Sequence, residues 1–139
     1  ANKNIYVDKN YSVFDLRYVE DAVRLYPDVL KHLESGVDIF SKKEDLRHGL
    51  DDMRLALELL LKHLLSNEKS LENQNSDLGV YLKKAGISKE ISNTFFQIKG
   101  LYEKFQNNNV KHDDNINLKE VEYIYQQTLC FMNLLLKVQ

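Results

Sequence analysis

At 139 residues, with 43% hydrophobic and 29% charged side chains, the chain can bury a core as one domain and is too apolar to be disordered throughout. A formal charge of −2 excludes a global pull toward nucleic acid or anionic lipid, so any RNA contact must come from a local basic patch. The single cysteine, Cys130, cannot form an internal disulfide and, lying in an apolar run, reads as a buried thiol.

One proline and five glycines leave room for long helices. No stretch reaches the roughly 18 uncharged apolar residues of a membrane span. No signal-peptide pattern opens the chain, so a cytoplasmic setting is expected. An opening Ala1 in place of Met reads as a trimmed chain or a domain cut from a longer protein.

Residues 1–13 show no helical period, and 1–14 are expected to form an N-terminal arm, with 15–139 as a single helical-bundle domain. From Asp15, a plain N-cap type, Leu16, Val19, Ala22, Val23 and Tyr26 recur at three- and four-residue steps. Pro27 breaks or restarts this helix, and Val29, Leu30 and Leu33 carry a shorter one to Ser35 and Gly36, where glycine suits a C-terminus. Ser41 and Glu44 have capping-box spacing. The helix they open is expected to run to Leu65, with Leu46, Leu50, Met53, Leu57, Leu60, Leu61 and Leu64 as its core stripe. Arg54, Glu58 and Lys62, four residues apart, read as a solvated ion-pair ladder on another face.

Residues 66–76 read as a polar loop. A short helix follows with Leu78, Tyr81 and Leu82, ending at Gly86, and another from Ser88 carries Ile91, Phe95, Ile98, Leu101, Tyr102 and Phe105. A polar turn, Asn107 to Asp114, precedes the final helix. That helix is capped by Asn117, with Glu120 at N3, and striped by Val121, Ile124, Tyr125, Thr128, Met132, Leu135 and Val138. The expected fold is an all-α bundle of about five to six helices. Its two long helices, roughly 42–65 and 118–138, are expected to pack antiparallel, since each has a wide apolar face to bury.

Common catalytic patterns are missing: no glycine-rich phosphate loop, no paired cysteines, no His-x-x-x-His spacing and no serine elbow. No metal and no cofactor are expected. His32 and His48 are expected on exposed helical faces, and His63 near a helix C-terminus, where a cation is favoured. His112 differs. It follows Lys111 and an amide-rich run and precedes a capped helix start, so a group that titrates near neutrality stands beside a cation. RNA cleavage by 2′-hydroxyl attack needs those parts: a base for the hydroxyl and positive charge for the phosphate. Asn and Asp are also ordinary turn formers, and that plainer reading stands beside the catalytic one.

The helix carrying Arg54, Ala56, Glu58, Lys62 and His63 resembles the A-x-E-x-x-x-K helix of HEPN-like domains, with the abortive-infection C-terminal type as the nearest kind. The resemblance spans residues 44–138, through a second helical pair and a turn ending in His to a last amphipathic helix. It implies a metal-independent ribonuclease or RNA-binding domain of a phage-defence or toxin–antitoxin system, commonly a homodimer with two motifs facing one cleft. By that resemblance His112 is the catalytic base, Asn107 the polar residue after the usual motif arginine, and Lys111 an accessory phosphate contact. The chain departs from the pattern where arginine belongs, since Phe105 or Gln106 stands there. A lysine replaces a bidentate guanidinium only in part. The competing expectation is a non-enzymatic interaction module, such as an antitoxin, an immunity protein or a regulatory domain, that binds a protein partner.

Overall fold

Pro27 has no N–H to donate and a φ already set for a helix, so it starts a helix rather than interrupting one. In the computed structural model, which describes residues 16–107 and 116–139 but not the side chains of Gln106 and Asn107, it opens a sixteen-residue helix. The element order is α1 (Leu16–Ala22), a 3-10 turn (Val23–Leu25), α2 (Pro27–Lys42), α3 (Leu46–Leu65), a 3-10 turn (Leu71–Asn73), α4 (Asn75–Lys84), the four-residue α5 (Lys89–Ser92), α6 (Thr94–Asn107) and α7 (Leu118–Lys137). The described residues form an all-α bundle with no strand, and none of their helices is long and apolar enough to cross a membrane. The expected arm, residues 1–14, lies outside the described residues.

Gly36 does not end its helix. It is buried in the middle of α2, and the apolar spacing continues past it through Val37 and Phe40. The reason is a close helix crossing. A Cβ on Gly36 would lie 3.1 Å from Met53 Cγ and 3.2 Å from the Gly49 carbonyl oxygen of α3. Gly49 in turn leaves room for the Tyr125 hydroxyl of α7, which would collide with any Cβ there. That hydroxyl donates to the Gly36 carbonyl at 2.7 Å, and the Tyr125 ring packs against Phe40 with centroids 4.9 Å apart. Burial and the Asp52 charge push the Tyr125 pKa up, so the phenol stays a donor.

The expected capping box is not used. Ser41 lies within α2, where its hydroxyl donates to the Val37 carbonyl at 2.9 Å, and α3 starts at Leu46 after Asp45. Lys43 and Asp45, both left-handed with φ of 57° and 53°, reverse the chain between the two helices.

The two long helices, α3 and α7, run parallel rather than antiparallel. Near their starts Gly49 faces Tyr125. At their ends Tyr26 bridges them, stacking on His63 at 4.5 Å and reaching Gln139 at 3.5 Å. Antiparallel packing suits helices joined by a short loop, but α4, α5 and α6 intervene and return the chain before α7 begins. α2 is antiparallel to both long helices. α6 is antiparallel to α7, pinned by the hydrogen bond between the Tyr102 and Thr128 hydroxyls and the stacked Phe95–Phe131 pair at 5.7 Å.

The Arg54–Glu58–Lys62 ladder is not a solvated face. The Glu58 side chain is only 14% exposed, bonding Arg54 at 3.2 Å and Lys62 at 3.6 Å. It also accepts the Leu71 backbone N–H at 3.1 Å, holding down the loop after α3. That loop is ordered by amides. Asn67 and Gln74 exchange two 2.8 Å hydrogen bonds, Gln74 is fully buried, and Leu71 enters the core.

Two substitutions test the crossing. Gly49→Ala forces the Tyr125 hydroxyl away and should cost about 2 kcal/mol, in the usual range for overpacking. Tyr125→Phe keeps the ring but strands the donor's site and should cost about 1 kcal/mol. Urea unfolding followed by circular dichroism measures both; a Gly49→Ala protein as stable as the parent contradicts the close crossing.

Candidate functional site

Lys111 and His112 lie outside the described residues, and Asn107 is described only as the last residue of α6. What borders the expected turn is described. Its far side is the start of α7, where the Asn117 side chain accepts the Lys119 N–H at 2.8 Å as expected of an N-cap. On its near side Arg47, in the first turn of α3, donates from Nη1 to the Phe105 carbonyl oxygen at 3.4 Å. A guanidinium from α3 therefore sits against the last turn of α6, where the sequence itself carries no arginine.

One residue further along α3 begins a polar cluster built on Asp52, which is 5% exposed. Its Oδ1 lies 2.9 Å from His32 Nδ1, and its Oδ2 accepts the Ser35 hydroxyl at 2.6 Å, both partners coming from α2. His48 Nε2 stands 3.5 Å from the same Oδ2, one helical turn back on α3, and its Nδ1 is 3.6 Å from Asp45. His48 is exposed as expected, but His32 is only 28% exposed and is held by the buried carboxylate.

Chemically, a carboxylate against Nδ1 orients the His32 ring and fixes its tautomer. The serine hydroxyl points to the carboxylate and not to the imidazole, so the three residues do not make a nucleophile–base–orienter chain. The cluster reads first as a cross-link between α2 and α3. Among the described residues no group of three or more His, Cys, Asp or Glu is placed to hold a metal ion.

His63 closes the opposite end of the same seam. Its Nε2 lies 2.9 Å and 3.1 Å from the two Asp28 oxygens, and its ring stacks on Tyr26. Partial burial pushes the Asp28 carboxyl up. The His63 hydrogen bond and the Val29 N–H more than offset this and hold it below the usual carboxylate value.

Sequence reasoning places Ser35 at a helix end and Glu58 on a solvated ladder, and gives Asp52 no role; it misses that all three tie elements together. The available signal is positional: Asp52 sits three residues after Gly49 and four before Ala56, inside the buried arc of α3. Cys130 is half-buried rather than buried and lines a surface cleft with Ile91, Phe131 and Leu134.

Comparison with family models, curated proteins and solved structures returns no match to this chain.

Two expectations follow from the seam. Asp52→Ala removes the shared acceptor of Ser35 and His32 and should lower stability by about 2 kcal/mol in urea unfolding; an unchanged midpoint contradicts the cross-link. The depressed Asp28 carboxyl gives stability that is present above its unfolded value of 3.8 and is lost as pH falls through the lower folded value. Asp28→Asn should therefore cost about 0.5 kcal/mol at neutral pH, small because the pair is half exposed. The gap to the parent should close on acidification below pH 3.8, measured by unfolding across pH.

Proposed function

We propose that the chain is a HEPN-like helical domain acting on RNA, of the kind found in phage-defence or toxin–antitoxin systems. In this reading His112 is the base that takes the 2′-hydroxyl proton. Lys111 contacts the phosphate, Asn107 is the polar motif residue, and a homodimer brings two such turns to one cleft. The observation that carries it is Arg47, whose guanidinium reaches the Phe105 carbonyl at 3.4 Å, two residues before Asn107. An arginine contributed by α3 restores to the end of α6 the cation that the linear motif lacks, and a guanidinium suits a phosphate better than a lysine does. The helix order, with Glu58 bonded to both Arg54 and Lys62 in the long central helix, agrees with the same reading.

The test uses labelled single-stranded RNA with chelator present, reading binding by anisotropy and cleavage by gel. His112→Ala should abolish cleavage with the helical circular dichroism unchanged, and Arg47→Ala should weaken binding about tenfold. Full cleavage by His112→Ala sinks the catalytic assignment, and undiminished binding by Arg47→Ala removes the arginine from the site.

A second reading, a non-enzymatic module that binds a protein partner as antitoxin, immunity or regulatory domain, is favoured by a different observation. Phe96 is 49% exposed and lines a cleft with Leu78, Ile87 and Phe95, and Ile91, 46% exposed, opens a neighbouring cleft. Large apolar side chains grouped on one side mark interaction surfaces more often than scattered ones do. Such a module forms a stable complex and cuts no RNA.

A further inference from the structure

The short α5 sits between two clefts. One, of about 450 Å³, has a floor of Leu78, Ile87, Phe95 and Phe96, with Lys83 and Lys89 among its lining residues. The other, of about 400 Å³, begins at Ile91 and is backed by Phe131 and Leu134 of α7. Phe95 stacks on Phe131, so one aromatic pair separates the two floors. Both volumes lie in the range of sites that take a ligand or an anchoring side chain.

The charged residues that line the first cleft have one sign. Among the described residues neither Lys83 nor Lys89 has a carboxylate partner, and no acid lines the cleft. A third cation, Lys99, lies with Nζ 5.2 Å from the Phe96 ring centroid and 5.7 Å from that of Phe95. It is oriented by the Glu72 carbonyl and the Asn75 side chain, not by an acid. Three lysines thus border an apolar floor in a chain whose formal charge is −2.

Gly79 adds a separate observation. It lies inside α4, where glycine is unfavourable relative to alanine. A Cβ there would meet nothing within 4 Å, so no neighbouring helix requires the glycine. Gly79 lines this cleft, and a side chain in its place would project into space that is now open. A helical glycine without a packing reason keeps the cleft unobstructed.

We infer that this cleft docks an acidic segment of a protein partner, which inserts an apolar anchor over Leu78 and Phe96 and places carboxylates on Lys83, Lys89 and Lys99. A segment fits better than a compact small molecule, because it can continue over α5 to Ile91 in the second cleft. Buried apolar anchors supply most of the binding, and the lysines select an acidic sequence and speed encounter. The site rests on the partner-binding reading and is independent of His112 and of RNA cleavage.

A peptide-display selection on the full chain, with random peptides as the probe, tests it. Acidic sequences carrying Leu or aromatic anchors should be enriched, and the best one, fluorescein-labelled, should bind less tightly as salt rises. Gly79→Phe, whose Cβ meets nothing within 4 Å, should lower its affinity at least about tenfold with the thermal midpoint unchanged or higher. Lys83→Glu with Lys89→Glu should do the same. Enrichment of basic or uncharged peptides overturns the acidic partner. Acidic peptides that bind Gly79→Phe undiminished overturn the cleft as their site while leaving the partner-binding reading in place. A labelled oligouridylate that competes for the same lysines and is lost with them assigns the surface to RNA and overturns the proposal.

Discussion

Three helices meet where the Tyr125 hydroxyl donates to the Gly36 carbonyl, and much of the bundle depends on how closely they approach there. The approach requires two glycines on two helices. Gly36 lets α2 settle against Met53 and the Gly49 carbonyl, and Gly49 leaves the space that the Tyr125 hydroxyl fills. A phenol that reaches a helical carbonyl inside a core must stay protonated to be worth its burial, and burial itself ensures that by raising its pKa. The contact also sets direction. With Tyr125 fixed near the start of α3 and Gln139 near its end, α7 has to run parallel to α3. α6, antiparallel to α7, then delivers its C-terminal turn beside Arg47.

The seam between α2 and α3 repeats one device at two points: a carboxylate on one helix with a histidine on the other. Asp28 with His63 closes the half-exposed end, and Asp52 with His32 and Ser35 sits nearer the crossing, almost fully buried. Pairs of this kind add little net stability, because desolvation consumes most of the attraction. Their value is register. Sliding α2 by one turn along α3 would take the Ser35 and His32 donors from the buried Asp52 carboxylate and leave it only the more distant His48, a penalty that an apolar seam would not impose. Glu58 applies the same logic outward from α3, tying two cations and the Leu71 N–H to one carboxylate.

Period and caps made the fold class legible. The stripe of α7 and its Asn117 cap lie where the spacing puts them, and Gly86, with φ +80°, terminates the segment after α4 as a left-handed residue should. The misread positions share a cause. Gly36 has the local look of a helix end, and Ser41 with Glu44 the look of a helix start, because glycine and serine serve both local and tertiary purposes. Only the partner helix decides which applies, and Gly49 is not marked in the linear pattern as Gly36's partner. The direction of α7 was hidden for a related reason: apolar faces show that two helices pack, not which ends meet. Arg47 illustrates the limit for the site. Fifty-eight residues separate it from Phe105, so the spacing of the turn's own residues does not show that a guanidinium of α3 reaches the end of α6.

The remaining asymmetry concerns what the bundle does with its charges. Along the α2–α3 seam the acids and histidines are matched to one another, and Asp28 and Asp52 lie within reach of their partners. On the α4–α6 side Lys83 and Lys89 have no carboxylate partner among the described residues, and they stand beside apolar side chains left half in water. Folding accounts for the first arrangement, since each pair fixes one helix against another. It does not account for the second: exposing Phe96 and Ile91 gains no burial, and Gly79 weakens the helix that carries it without admitting any neighbour. The local structure there is a short capped helix. Ser88 caps α5 by accepting the Ile91 N–H, and α5 stops after four residues before α6 restarts at Thr94. The chain thus turns through Asn93 between two short-coupled helices, and an apolar surface bordered by lysines is left open on a fold whose own stability gives no reason for one.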